Sequence, residues 1–320
     1  MKLIIMIPCL NEEETLPLVL QSLPKDIKGV DKIETLLIDD GSTDKTVDVA
    51  RAYGVDHIYR HTRNKGLSPS FAAGIKRSLA LGADIIVLTE GDNQYPQERI
   101  PDLIQPILDG EADVVIGDRQ TQTIEHFSPV KKILQKFGTW VVNAIADSEV
   151  PDAISGFRAY SRDAAIQLNP IADYSWATET TIQASQRRQA IAILPIQTNP
   201  KLRESRQFKS SWQHTRRSSK TIIRAFVMYK PYTVFFSLGG FLLIVGLVPF
   251  IHFAWLSISQ NNISVYGTHH LQSLIIGSVV LVASFISFTL GIIADMVRIN
   301  RLLLEDTLEY LKRMQAIDES

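Results

Sequence analysis

The sequence predicts an α/β domain on a mainly parallel, Rossmann-like sheet, followed by a hairpin of two membrane-spanning helices. Three features point there. Apolar, β-branched runs alternate with helix-like runs over residues 1–120. Three of the apolar runs stop at carboxylates or amides, in Ile7-Pro8-Cys9-Leu10-Asn11-Glu12, Ile38-Asp39-Asp40-Gly41-Ser42 and Glu90-Gly91-Asp92-Asn93-Gln94. Residues 231–294 contain no Asp, Glu, Lys or Arg.

The expected strands are 2–7, 33–38, 57–59, 85–88 and 114–116, with helical runs at 13–22, 43–53 and 69–81. This alternation argues for parallel strands joined by right-handed crossovers. Asn11, and Ser42 or Thr43, stand where helix N-caps are expected. In residues 128–146, Val130, Ile133, Leu134, Phe137, Val141, Ala144 and Ile145 keep helical spacing, with Lys131, Lys132 and Lys136 on the other side. Such a helix faces a core or lies on an anionic membrane surface. Residues 211–229 combine basic residues with Ile222, Ile223, Phe226 and Val227 and lead into the charge-free stretch.

A chain of 320 residues holds one large domain or two smaller ones. Its net charge of −1 gives no electrostatic ground for a nucleic-acid partner, and none is expected. The one cysteine, Cys9, excludes an internal disulfide and fits a reducing compartment. It reads as a small buried residue at a strand end. The apolar start is too short for a signal-peptide core, so the first domain is expected in the cytosol.

Within the charge-free stretch, residues 232–258 and 271–294 each exceed the ~20 apolar residues that cross a bilayer. The break between them is polar, Ser259-Gln260-Asn261-Asn262 and Gly267-Thr268-His269-His270. Nine Lys and Arg against the single acid Glu204 occupy residues 201–230, and Arg298 and Arg301 follow the second span. Basic flanks stay cytoplasmic. Both termini are then cytosolic, in a bacterium on the inner membrane, and only the hairpin loop faces outward. The expected division is a catalytic domain at 1–210, a basic juxtamembrane helix at 211–231, two spans within 232–294 and a cytosolic helix at 295–320.

In an open α/β sheet, ligands bind outside the carboxyl ends of the strands. Acids at three strand ends therefore suggest one composite pocket, suited to a metal-bound, sugar-bearing nucleotide. Asp39 and Asp40 can accept from base N–H or ribose hydroxyl groups, and Gly41 permits the tight turn after them. Asp92 can hold a divalent cation, helped by Glu90 or Gln94. Hard oxygen ligands suit Mg²⁺ or Mn²⁺, which also bind a donor diphosphate. No Gly-X-Gly-X-X-Gly follows the first strand and no P-loop motif occurs, which argues against a nicotinamide dehydrogenase and a P-loop nucleotidase.

Pro8…Asn11-Glu12, Asp39-Asp40-Gly41-Ser42-Thr43-Asp44, Asn64-Lys65-Gly66, Glu90-Gly91-Asp92-Asn93-Gln94-Tyr95-Pro96, Gly117-Asp118-Arg119 and Ser155-Gly156-Phe157-Arg158 occur in this order. In them the chain resembles glycosyltransferase family 2, in its dolichol-phosphate mannose synthase-like, polyprenyl-phosphate branch, over about residues 1–210. The resemblance implies a GT-A fold and an inverting transfer of one sugar from a UDP- or GDP-sugar to a polyprenyl phosphate. It places Pro8, Asn11, Glu12, Asp40, Lys65 and Gly66 at the nucleotide sugar, and Asp92 and Gln94 at the metal and diphosphate. It places Arg119 and Arg158 near the phosphates or the acceptor, and Asp152 and Glu179 in the acceptor half. The family commonly has Asp where this chain has Glu90. The Gln-X-X-Arg-Trp motif of the processive polysaccharide synthases is missing, which argues against a polymerase.

A lipid phosphate is already ionised near neutral pH and needs no strong base, so the protein's task is positioning and electrostatics. Arg119, Arg158 and the basic stretch that includes Arg203 are the candidates to hold it. A sugar or glycerolipid hydroxyl would instead require a base, with Glu179 or Asp152 as candidate. An inactive membrane scaffold is the reading from another class. Gly239 and Gly246 are small enough to let spans of separate copies pair, so a homo-oligomer is compatible with the sequence.

Overall fold

The computed structural model describes residues 1–120, 129–146, 149–169, 176–200, 227–259 and 263–318. Strand β1 (Lys2–Cys9) is buried on both faces along almost its whole length, as a continuous apolar run in a parallel sheet should be. It pairs with β2 (Lys32–Asp39) from Lys2↔Lys32 through Cys9↔Asp39. This register brings the ends of both strands, with their polar residues, to one level. Then come α1 (Leu16–Ser22), α2 (Thr46–Ala52), β3 (His57–Arg60), α3 (Leu67–Ala80) and β4 (Ile85–Leu88). They are followed by α4 (Ile100–Leu108), β5 (Val114–Asp118), α5 (Pro129–Ala146) and β6 (Arg158–Ser161). The unit continues with α6 (Arg162–Gln167), α7 (Trp176–Gln186) and β7 (Ile191–Pro195).

The seven strands lie in the order β3-β2-β1-β4-β6-β5-β7. β6 runs antiparallel to β4 and β5, and every other pairing is parallel. The chain reverses its direction of travel across the sheet between β1 and β4, the switch point where such sheets open a crevice. β6 starts where β4 and β5 end, since Arg158 pairs with Leu88 and with Ile116. The segments before Arg158 and after Asp118 therefore reach the same edge as the three acidic loops.

The two faces follow the period of a strand. Leu3, Ile5 and Ile7 join Leu16, Val19, Leu103, Ile104 and Ile107 in one apolar cluster. On the opposite face Met6 packs against α3 so closely that a Cβ on Gly74 would lie 3.0 Å from its sulfur. Cys9 is buried, as expected. The second half of α5 is a core-facing helix: Val141, Val142 and Ile145 are buried and α5 packs on α7.

Two expectations about helix starts need correction. α1 begins at Leu16 and α2 at Thr46, with Thr15 and Lys45 in the cap positions and no side-chain cap bond at either. Asn11 and Ser42 are used across the two loops instead. Asn11 Oδ1 accepts the Thr43 N–H at 2.8 Å, and Ser42 Oγ accepts the Asn11 N–H at 2.9 Å.

The chain divides into two units, Met1–Thr221 with Glu305–Ser320, and Ile222–Leu304. The second is built from α8 (Pro231–Ser259) and α9 (Ile263–Asp318), which runs on into the first unit. Both helices are long and apolar enough to cross a membrane. They meet through small residues seven apart, Gly239 and Gly246 on α8 and Gly277, Ser284 and Gly291 on α9. A Cβ on Gly246 would lie 2.9 Å from Leu281, and one on Gly277 would lie 3.0 Å from the Gly246 carbonyl oxygen. Ser284 Oγ donates to Gly239 O at 2.7 Å and Ser287 Oγ to Phe235 O at 2.8 Å. Close approach plus interhelical hydrogen bonds is how helices associate in lipid. Gly239 and Gly246 thus serve the hairpin itself. The expected juxtamembrane helix at 211–231 lies mostly outside the described residues.

At the sheet's other end, Glu34 is buried between Lys2 Nζ at 2.7 Å, His57 Nε2 at 2.9 Å and Lys32. Burial alone would raise its carboxyl, but the three partners prevail and bring it from 4.5 down to about 2. A depressed carboxyl stabilises the fold in full above its unfolded value and loses that contribution as pH falls towards the folded one. Glu34→Gln is therefore expected to lower Tm at pH 7. The gap to wild type should shrink between pH 4.5 and about 2, as followed by thermal unfolding monitored by circular dichroism.

Candidate active site

The end of β2 supplies two buried carboxylates with different duties. Asp40 Oδ1 accepts from His61 Nδ1 at 2.9 Å and from the Lys65 N–H at 2.8 Å, and its Oδ2 accepts from the Gly66 N–H at 2.8 Å. Asp40, offered to the nucleoside by its position, thus organises the loop between β3 and α3. Asp39 Oδ1 accepts from the Ser42 N–H at 3.0 Å. Arg60 Nε stands 2.9 Å from Asp39 Oδ2, but no hydrogen-bond donor among the described residues is aligned on that buried oxygen. Gly41 between the loops has φ +78°, and a Cβ there would lie 2.7 Å from the carbonyl carbon of Arg63. The turn therefore admits glycine on two counts.

The loop after β1 is tied to the loop after β2. Besides the Asn11 bonds, the Glu12 N–H donates to Thr46 Oγ1 at 2.8 Å, and the Glu13 carboxylate accepts the Lys45 N–H at 3.0 Å. Pro8 is buried in register with Ile38. Asn11 takes φ 57°, a left-handed conformation in which asparagine is well tolerated. Asn11 to Thr15, Thr43 and Asp44 line an open depression at this edge.

The loop after β4 comes in beside them. A Cβ on Gly91 would lie 2.5 Å from Cys9 Sγ, and Thr15 Oγ1 donates to Gly91 O at 2.8 Å. Asp92 is half-buried and accepts both the Gln94 N–H, at 3.2 Å, and the Gln94 side-chain amide. Glu90 turns the other way: one of its oxygens would lie 2.5 Å from a Cβ on Gly156. Burial pushes the Glu90 carboxyl up to about 8, with the Asp92 charge adding and Arg119 opposing. Among the described residues no three His, Cys, Asp or Glu side chains converge on a metal position. Of the expected trio the structure joins Asp92 and Gln94 by hydrogen bonds, and Glu90 lies against Gly156. What remains fits a hard cation that takes one protein carboxylate and completes its shell with substrate phosphates and water.

The half of the site expected to take the acceptor is held by two arginines. Arg119 grips Asp152 in a fork, Nε to Oδ2 at 2.7 Å and Nη2 to Oδ1 at 2.9 Å. Burial works to raise the Asp152 carboxyl, but the Arg119 hydrogen bonds and charge win and hold it below the usual carboxylate range. A carboxylate so stabilised is a weak base. Arg158 is 0% exposed. Its Nε donates to Ser155 O, its Nη2 to Ala153 O, and its Nη1 to Thr180 and Thr181 Oγ1, all within 3.1 Å. Its guanidinium also lies over the Trp176 ring. Expected at the acceptor phosphate, Arg158 instead knits the 153–155 loop to α7. Glu179 is buried in the first turn of α7. Lys65 is exposed, and Arg203 lies outside the described residues.

Sequence reasoning missed His61, the side-chain partner of Asp40, although it directly follows the strand beside β2. It also missed Asn199, whose side chain donates to Asn93 O and Tyr95 O at 3.1 Å each and braces the Asp92 loop. Nothing in its local sequence marks it.

Arg158→Lys keeps a cation but cannot reach four acceptors. It is expected to cost about 2 kcal/mol or more of stability, read as a lowered Tm. An unchanged Tm with weakened phosphate binding would return Arg158 to the acceptor.

The family model for glycosyl transferase family 2 matches residues 4–168. The dolichol-phosphate mannosyltransferase of Pyrococcus furiosus is 31% identical over 181 residues, 53% of this chain and 50% of that one. The undecaprenyl-phosphate mannosyltransferase of Micrococcus luteus is 28% identical over 206 residues, 61% of this chain and 83% of that one. Glucosyl-3-phosphoglycerate synthase of Mycobacterium tuberculosis, solved with Mn²⁺, UDP and phosphoglyceric acid, superposes with a TM-score of 0.53 at 22% identity. That match covers 71% of this chain and 77% of that one, and speaks for a shared GT-A-like fold. With the family model spanning more than half of its length, this chain belongs to glycosyl transferase family 2 and is a glycosyltransferase.

Proposed function

We propose that the protein transfers a single sugar from a UDP- or GDP-sugar to a polyprenyl phosphate at the cytosolic face of the membrane that anchors it. The observation that carries this reading is the pairing, in one chain, of a family 2 domain with two helices of bilayer length. The named relatives in Pyrococcus furiosus and Micrococcus luteus use dolichol phosphate and undecaprenyl phosphate, as their names state. The basic flanks at 201–230, Arg298 and Arg301 favour cytosolic ends for both helices.

In this reading the nucleoside lies along the ends of β1 and β2. Asp39 Oδ2 offers an acceptor there for a base N–H or a ribose hydroxyl, and Asn11 and Glu12 shape the wall. Asp92, with Gln94, would hold Mg²⁺ or Mn²⁺ at the donor diphosphate. The bound cation supplies charge neutralisation for the departing nucleoside diphosphate. A lipid-phosphate oxygen attacks the anomeric carbon from the face opposite the diphosphate. The new C–O bond forms as the old one breaks, with inversion, and no proton has to be removed from the nucleophile. That suits an acceptor half whose carboxylate Asp152 is committed to Arg119. Arg119 keeps N–H groups beyond that fork and is the arginine placed to meet an anion.

The test is transfer of radiolabelled sugar to polyprenyl phosphate in detergent micelles, across a panel of UDP- and GDP-sugars. Label in the lipid phase from one donor, abolished by chelator and restored by Mn²⁺ or Mg²⁺, is the expected result. Asp92→Ala is expected to lower turnover by about 100-fold or more with the fold intact. Full activity of Asp92→Ala with metal still required would refute the ligand assignment. Donor hydrolysis without lipid labelling would refute the acceptor and leave a hydroxyl-bearing one.

A further inference from the structure

The last part of α9, from Glu305 on, clusters with the catalytic unit. It docks by its polar side, while Leu308, Leu311 and Met314 stay exposed. Lys312 Nζ donates to Ile166 O at 3.1 Å, to Leu168 O at 2.9 Å and to Asn169 Oδ1 at 2.7 Å. These acceptors can engage all three ammonium hydrogens, and they stand where α6 ends and leaves backbone carbonyls without helical partners. Three ion pairs flank Lys312, Arg187 with Glu309 at 2.6 Å and with Asp306 at 3.4 Å, and Arg313 with Asp163 at 2.7 Å. The contact is thus specified by geometry and not by burial of apolar surface.

An unbroken series of bonds leads from there to the site. The Asn169 N–H donates to Gln183 Oε1 at 3.0 Å, and Gln183 Nε2 donates back to Asn169 O at 2.8 Å. Gln183 lies on α7, within one turn of Thr180 and Thr181, which accept from Arg158. Arg158 holds Ala153 O and Ser155 O. Asp152, next to Ala153, grips Arg119. Contiguous packed and hydrogen-bonded elements of this kind carry coupling between distant groups.

We propose that Lys312 is a positioning residue for sugar transfer. It pins Leu168 and Asn169 to α7, and through α7 and Arg158 it sets the loop that presents Asp152 and Arg119. The last part of α9 then belongs to the catalytic apparatus as well as to the anchor. The proposal rests on the glycosyltransferase assignment, not on the identity of the acceptor.

The test uses the full-length protein in detergent. Lys312→Met keeps the apolar stem and removes the donors. It is expected to lower kcat by about tenfold while the donor KM stays within about twofold. Amide hydrogen exchange should speed up in residues 152–158 and 176–186. Arg187→Glu and Glu309→Arg should each lower kcat. Nucleoside diphosphate release is measured with and without lipid phosphate. Slower release in Lys312→Met from an enzyme that never labels lipid would support the positioning role while refuting the proposed acceptor. A wild-type kcat in Lys312→Met, with only Tm lowered, would overturn the proposal. So would a loss spread equally over kcat and donor KM with faster exchange throughout the unit.

Discussion

The site depends first on the buried carboxylate of Asp40. A desolvated carboxylate is tolerated only when donors replace its water. Here two backbone N–H groups and the His61 ring do so, and all three come from the segment between β3 and α3. Satisfying that one charge fixes the path of residues 61–66, and with it the start of α3. α3 then packs on Met6 and Phe71 becomes fully buried. The same loop passes so close to Gly41 that no side chain fits there. Asp39, its neighbour, keeps one buried oxygen that no donor among the described residues is aligned on, although Arg60 Nε stands 2.9 Å from it. Adjacent aspartates thus divide the work, Asp40 holding the loop before α3 and Asp39 the turn at Ser42.

The acceptor half is built on the opposite charge. β6 runs against its neighbours, so the loop that precedes it arrives at the carboxyl edge of a parallel sheet. Two arginines stabilise that arrival. Arg119 is paired with an acid, whereas Arg158 is solvated by two carbonyls and two threonine hydroxyls. Burying such groups is costly, and removing one partner is worse than never having had the pair. Arg158 therefore acts as a rigid organiser. Four of its five N–H groups are taken by protein acceptors.

The two units of the chain are held by different forces. The sheet unit buries apolar surface away from water. In the helical hairpin, apolar faces would gain little from each other in a lipid environment. It relies on glycines and serines at intervals of seven, which let the backbones approach and let Ser284 and Ser287 bond across. An interval of seven keeps one stripe in contact along both helices.

The sequence by itself determined the first five strands, the mainly parallel sheet and the two apolar helices, but not β6, which runs antiparallel, or β7. What it did determine follows from periodicity and charge, which are local properties. It also located the loops that gather at one edge of the sheet, because in such a sheet the ends of strands are the ends of apolar runs. What only the tertiary structure decided is which polar atoms are already spent. Asn11 and Ser42 looked like helix caps, yet their partners lie across a loop boundary. Asp39 and Asp40 are indistinguishable in sequence, and only the path of residues 61–66 separates them. Glu90 stands two positions from Asp92, and its side chain turns towards Gly156, which is distant in sequence. Arg158 could reach a ligand or the chain, and α7 settled the choice by presenting two hydroxyls. Hydrogen-bond satisfaction is a property of atoms brought together from remote positions, so no reading of one strand end at a time can supply it.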